Sequence, residues 1–407
     1  MTNSPPRSAY LHVPFCRHRC GYCNFTLVAG RDDLIDDFLR ALEIELSWLE
    51  VPRPVETLFL GGGTPTHLPP PQLERLLALA TKWFPLAGAQ AEELPRMNTD
   101  STDRELLDPR HLRSSAANFE FSIEANPIDL NTERSKVLAD AGVTRVSLGV
   151  QSFDDRKLTV LERDHRRREI EQAHAAARSF AESVSLDLIF AAPGETLDDW
   201  RHDLAAALAL GPHHISTYGL TFEKGTSFWT RRQRGDLAQA AEDLEAQMYE
   251  LAIDTLTAAG YEHYEVSNFA RPGHRCRHNE VYWTGGSYFA AGPGASRHIA
   301  GRRETNHKST TTYIRRVLAG QSPVAESEEL SAEDRARERL VFGLRRLKGI
   351  DLAAFEHETG ISASDLDGQI LARFTEQGLL ERTATHLRLT RLGLLVSDVL
   401  WPELLRR

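Results

Sequence analysis

Tyr10–Leu11–His12–Val13–Pro14–Phe15–Cys16–Arg17–His18–Arg19–Cys20–Gly21–Tyr22–Cys23 runs a short apolar, strand-like segment directly into three cysteines spaced C-x3-C-x2-C. Three thiolates at that spacing suit a loop wrapped around one metal centre, with Gly21 letting the backbone turn tightly. Three ligands leave an iron–sulfur cubane one ligand short, and an open iron can chelate a further molecule, as open catalytic metal sites do. Structural zinc is the competing reading; it would recruit His12, His18 or Cys276 as fourth donor. The triplet alone divides evenly between the two.

The rest of the composition narrows the setting. Among 407 residues, 48 Lys plus Arg stand against 58 Asp plus Glu, and a net charge of -10 gives no reason to expect a nucleic-acid partner. Three of the four cysteines fall within one eight-residue window, unlike a secreted disulfide framework and more like a metal or redox site in a reducing compartment. The first nine residues have no apolar core, so neither a signal peptide nor a lipidation motif is read there, and no apolar run approaches membrane-spanning length. A folded cytoplasmic protein is the expectation.

The first half alternates short apolar runs with amphipathic stretches, the pattern of βα units around a parallel sheet. Strands are expected at Tyr10–Val13, Thr57–Leu60, Phe119–Glu124, Thr144–Val150, Val184–Phe190 and His214–Leu220. After Asp32–Asp33, the residues Ile35, Phe38, Leu39, Leu42, Leu46 and Leu49 recur at helical spacing. Six such units predict an incomplete, TIM-like (β/α)6 barrel with its working loops at the strands' C-terminal ends. The polar stretch Ala87–Ala117 reads as a mobile surface insertion. A long helix is expected at Leu237–Gly260. From Ser331 the order is helix, helix (Leu352–Thr359), helix (Ser364–Gly378), hairpin (Leu379–Thr390) and helix, which suggests a winged-helix-like fold. Its third helix carries Asp365, Asp367 and Glu376 against Arg373, so a packing or partner surface fits better than a DNA groove.

After the second strand stands Gly61–Gly62–Gly63–Thr64–Pro65–Thr66, where backbone without side chains can approach a small charged ligand and donate N–H bonds to it. Together with the Tyr10–Cys23 stretch it makes the chain resemble the radical S-adenosylmethionine (SAM) superfamily, over roughly residues 10–297. The resemblance implies a [4Fe–4S] cluster on Cys16, Cys20 and Cys23. It implies SAM contacts at Tyr10, the backbone around Tyr22, Gly62, Gly63, Thr64, Glu124, Gln151, Arg163 and Asp187, and an electron donor for the cluster. Glu124 and Asp187 can accept from an ammonium or ribose hydroxyls, Arg163 can pair with a carboxylate, and Gln151 can serve either polarity. The implied chemistry is one-electron reduction and homolysis of the SAM S–C5′ bond to give a 5′-deoxyadenosyl radical. Ala191–Ala192–Pro193–Gly194 departs from the family's usual Gly–Leu–Pro–Gly.

Within the superfamily the chain is similar to the coproporphyrinogen III oxidase-related branch, which holds two classes. The oxygen-independent coproporphyrinogen III dehydrogenases carry a fourth cysteine where Phe25 stands here, and an extension before the barrel, whereas nine residues precede Tyr10. The haem chaperones of the HemW type have phenylalanine at that place and a His–Asn–x–x–Tyr–Trp motif downstream, matched by His278–Asn279–Glu280–Val281–Tyr282–Trp283. In a helix, His278 and Tyr282 share a face. Neutral imidazole is an axial ligand for haem iron, and Tyr and Trp give a macrocycle flat apolar surface. An internal hydrogen-bond cluster is the alternative for the same residues, and Cys276 reads as an inert buried thiol. The expectation is a haem chaperone with haem, cluster and SAM, serving an acceptor protein, a homodimer being left open; the alternative is a radical SAM enzyme acting on a porphyrinogen. The expected organisation is a barrel at 1–225, an extension at 226–330 and a winged-helix-like domain at 331–407.

Overall fold

Successive strand residues point to opposite faces of a sheet, and the six expected strands use this alternation strictly. A computed structural model describes residues 5–87 and 119–406; the insertion expected at 87–117 lies outside the described residues apart from Ala87. Strands form at Ser8–Val13, Thr57–Gly62, Glu120–Ala125, Arg145–Gln151, Ser183–Phe190 and His214–Gly219. They lie side by side in chain order and run parallel. Leu11, Leu58, Leu60, Phe121, Ile123, Val146, Leu148, Leu186, Leu188 and Ile215 form the outward layer and are fully buried under the helices. The opposite parity carries Tyr10, Phe59, Glu124, Ser147, Asp187, Ser216 and Tyr218 into the lumen. Parallel register sets these in rows, with Tyr10 beside Phe59, Glu124 beside Ser147, and Asp187 beside Ser216.

The sheet is open, with nine strands, and its additional members come from the chain after residue 260. Phe289–Ala291 joins in parallel on the outer edge of Ser8–Val13, and the hairpin Glu262–Glu265/Asn268–Ala270 closes the other edge antiparallel to His214–Gly219. The first helix, Ile35–Ser47, follows Asp32 and Asp33 and carries Asp36 and Asp37 in its first turn, acids that favour a helix N-terminus, and it buries Ile35, Phe38, Leu39, Leu42 and Leu46. No described helix is long and apolar enough to cross a membrane.

The long helix expected at Leu237–Gly260 begins at Glu242 and ends at Ala258; its start coincides with Glu242, Asp243 and Glu245, the acids that suit a first turn. A separate short helix, Ser227–Gln233, precedes it and packs Phe228 against the cysteine loop. At the C-terminus the helices Ala332–Arg345, Leu352–Thr359 and Ala363–Glu376 are followed by the hairpin Leu380–Arg382/His386–Leu389 and two short helices. The backbone breaks at Asp367 inside the third of these. Asp367 is buried and ion-paired with Arg337 and Arg406, so it serves packing, one of the two roles expected of this helix.

Candidate functional site

The cysteine loop leaves the lumen end of Ser8–Val13, and the chain returns as Val28–Ala29 alongside Phe15–Cys16. The Arg19 guanidinium ties the loop together by donating to the carbonyls of Cys23 (3.1 Å), Phe25 (3.3 Å) and Leu27 (2.7 Å). Gly21 has no left-handed backbone; it is required because a Cβ there would lie 2.2 Å from the Phe228 ring. The tight turn expected at this glycine is present, closed by the Cys23 N–H on the Cys20 carbonyl (3.1 Å). Cys16 Sγ lies 3.3 Å from Thr64 Oγ1, and Arg163 Nη1 donates to Cys20 Sγ at 3.4 Å. Burial pushes the Cys16 thiol up to about 12 and raises Cys23 as well, so both are thiols until a cation displaces the proton.

The glycine loop differs from expectation in polarity. The N–H of Gly62 donates to Glu124 Oε2 (2.9 Å), that of Gly63 to the Val13 carbonyl (2.8 Å), and that of Thr64 to the Phe15 carbonyl (2.7 Å). No N–H of these three remains for a ligand, so only a hydrogen-bond donor, such as an ammonium, could bond this stretch of backbone. The glycines are needed for approach to protein: Cβ atoms at Gly61, Gly62 and Gly63 would lie within 2.8 Å of the Glu124 carboxyl, the His12 ring and the Phe15 carbonyl.

One cavity of about 420 Å³ collects Cys16, Cys20, Tyr22, Cys23, Gly62, Gly63, Thr64, Glu124, Gln151, Arg163 and Asp187. Gln151 reaches it from a bulged strand end with φ of 68°, a conformation uncommon outside glycine. Arg163 donates to the Gly149 carbonyl (2.9 Å) as well as to Cys20, and its buried Nε has no partner. Ser147 Oγ bonds Asp187 at 3.0 Å. Burial raises Asp187 and pushes Glu124 up to about 7; for Glu124 the Gly62 N–H opposes the rise and Asp187 reinforces it. Both carboxyls therefore gain most from a cationic ligand.

A second cavity, about 200 Å³, continues inward from Glu124, Ser147 and Asp187 to Arg145, Cys276, His278, Asn279 and Tyr282. His278 lies in the helix Arg277–Trp283 and is 1% exposed. Both its ring nitrogens are used, Nδ1 with Thr57 Oγ1 at 2.9 Å and Nε2 with Tyr282 Oη at 2.8 Å. Burial pushes it down to about 3, so it is neutral, but it has no nitrogen free for iron in this arrangement. The shared face with Tyr282 is as expected, and the internal hydrogen-bond cluster is what it forms. Trp283 points elsewhere: it packs on Phe342 beneath the Arg345 guanidinium, 4.5 Å from the ring centre, in the seam with the C-terminal region. A third, more open hollow of about 390 Å³ lies between Phe25, Tyr282, Tyr288 and Gly294–Ser296.

The fourth donors that zinc would recruit each have a protein partner. His12 bonds Tyr10 Oη and the Thr26 carbonyl, His18 bonds the Glu162 carbonyl, and Cys276 sits 3.6 Å from Glu120 Oε1 at the inner end of the second cavity. Among the described residues no group of three His, Cys, Asp or Glu converges as for a single metal ion. Sequence reading missed Arg145 and Tyr218 in the lumen and the buried Lys157–Glu195–Asp203 cluster behind the strand ends. A charged Arg145 at lumen parity within an apolar strand was the available signal.

Residues 10–207 match the radical SAM superfamily, and residues 330–396 match the HemN C-terminal domain. In fold, the chain is similar to Escherichia coli coproporphyrinogen III oxidase (HemN), a radical SAM enzyme, with a TM-score of 0.80 at 22% identity, covering 99% of this chain and 90% of that one. Proteins named heme chaperone HemW are similar throughout their length: that of Bacillus subtilis strain 168 is 34% identical, covering 96% of this chain and 97% of its own. That of Mycobacterium tuberculosis H37Rv is 37% identical, with 98% and 95% covered. That of Escherichia coli K12 is 31% identical, with 98% covered in both. With likeness of this extent to several such relatives, the protein belongs to the HemW family of the radical SAM superfamily.

Proposed function

We propose that the protein is a cytoplasmic haem chaperone that holds a [4Fe–4S] cluster on Cys16, Cys20 and Cys23, binds SAM beside it, and passes haem to an acceptor protein. The observation that carries the cofactor part is the single cavity in which three unpaired thiols meet Glu124, Asp187, Arg163 and an acceptor-rich glycine loop. These groups fit the two cofactors. The three thiols border one cavity, as the three ligands of a cubane would, and Arg163 carries a buried N–H without a partner, available to a carboxylate. When bound, cluster and SAM supply one-electron reductive chemistry at a sulfonium. The protein's own part is to bind, orient and exclude water: Gly62, Gly63 and Thr64 accept from the ammonium, Glu124 and Asp187 lie ready for donors, and Tyr22 and Gln151 line the walls.

Glu124 gives this reading a pH signature. Its carboxyl, pushed up to about 7, must be ionised to hold a cation, so below that pH a proton competes with SAM. SAM affinity is expected to fall about tenfold per pH unit on the acid side of neutrality and to level off above it, by proton linkage at one site. Calorimetric titration across this range checks it; Glu124→Gln should bind more weakly with the slope removed.

The chaperone part rests on kinship with proteins named heme chaperone HemW and on Phe25 standing where the porphyrinogen enzymes carry cysteine. Haem titration and porphyrinogen product analysis, run in parallel on the anaerobically reconstituted protein, test it. Saturable haem binding without decarboxylated product is expected. Turnover of coproporphyrinogen without haem binding would replace this reading with the enzyme.

A further inference from the structure

Haem has no room at the buried motif as it stands. The inner cavity of about 200 Å³ falls below the ~300 Å³ at which pockets for drug-sized ligands begin, and His278 is saturated within it. The hollow outside it is of the right order at about 390 Å³, and its lining combines the aromatic rings of Phe25, Tyr282 and Tyr288 with the small residues Gly294, Ala295 and Ser296. Tyr282 and Tyr288 meet edge to face at 4.7 Å, so their ring positions are mutually fixed.

Phe25 is the conspicuous member. It is 59% exposed, and it lines both this hollow and the cysteine cavity. Its backbone is not loose: the Arg19 guanidinium holds the carbonyls of Cys23, Phe25 and Leu27, and Thr26 is wedged against Gly294, where a Cβ would lie 2.6 Å from Thr26 Oγ1. An aromatic ring presented from a fixed backbone is a preorganised stacking surface, with little ordering left to offset on binding. We propose that haem is received on Phe25, its macrocycle stacked on that ring within the hollow bounded by Tyr288 and Gly294–Ser296, and not by the His278 imidazole in the interior. Because Asn24, Phe25, Gly62 and Glu124 are common to both cavities, a macrocycle there lies against the wall of the cysteine site. The inference rests on the haem reading above and assigns its place.

Titration of the full chain with ferric haem, followed at the Soret band, tests it on wild type, Phe25→Ala, Phe25→Tyr and His278→Ala. Phe25→Ala should weaken haem binding about tenfold, in line with the loss of one stacked aromatic and its buried area, while Phe25→Tyr stays within about twofold. His278→Ala should retain binding. The same ratios are expected with the cluster-free chain, where an altered iron content cannot contribute. Phe25→Ala binding as tightly as wild type, or His278→Ala alone abolishing the Soret shift, overturns the assignment and leaves the haem reading intact. Absence of saturable binding by wild type overturns both.

Discussion

Cys20→Ala is expected to abolish incorporation of iron and acid-labile sulfide on anaerobic reconstitution, with the far-ultraviolet circular dichroism unchanged. Two remaining thiols cannot hold a cubane, and the loss removes the sulfur that faces Arg163, leaving that buried guanidinium with the Gly149 carbonyl alone. The fold should survive, because the loop is held by Arg19, by the Val28 N–H on the Pro14 carbonyl and by the Phe228 N–H on the Gly21 carbonyl, none of which involves a cysteine side chain. Cys276→Ala is the matched control. Its thiol sits by Glu120 at the inner end of the second cavity, so iron content should stay at the wild-type level. A zinc site that recruited Cys276 would lose metal in both variants.

The largest effect on stability is expected at Lys157. Its ammonium, 6% exposed, lies 2.5 Å from Glu195 and 3.0 Å from Asp203, whose side chains are 1% and 2% exposed. Lys157→Met leaves two buried carboxylates facing each other without a counter-charge, a loss of about 3–5 kcal/mol for removing one partner of a buried pair. The consequence reaches the site. Asp203 accepts from Ser152 Oγ (2.8 Å) and the Phe153 N–H (2.7 Å), directly after Gln151, and Glu195 accepts from the Ala192 N–H (2.8 Å), next to Ala191 with φ of 62°. The cluster thereby fixes the two strand ends that carry Gln151 and Asp187. Urea unfolding monitored by circular dichroism measures the cost. A change below about 1 kcal/mol, the size expected of an exposed pair, would mean that water reaches the cluster.

Much of the fold was legible because parallel strands and their covering helices write themselves as apolar periodicity. Six strands appear within one or two residues of Tyr10–Val13, Thr57–Leu60 and their successors, and the Leu352–Thr359 helix lies where expected. Less visible were elements fixed by long-range pairing. Phe289–Ala291 is three residues long and becomes a strand only because Ser8–Val13 offers its edge. In the site, residue types were readable but not who uses whom. The glycine loop's N–H groups looked free for a ligand until the neighbouring strand end and Glu124 were seen to consume them. The His278 reading shared this limit: helical spacing gave the Tyr282 contact, whereas Thr57, more than two hundred residues earlier in the chain, takes the other nitrogen. Trp283 belongs to the same motif by sequence and to a different interface in space.

Electron paramagnetic resonance of the reduced, anaerobically reconstituted protein, recorded before and after addition of SAM, bears most directly on the central claim that one cavity holds both cofactors. A [4Fe–4S] signal whose g values shift when SAM is added is predicted, because the three cysteines and the Glu124–Arg163–Asp187 wall share that cavity. Protein isolated anaerobically with stoichiometric zinc and no iron, or a cluster signal indifferent to saturating SAM, would contradict it.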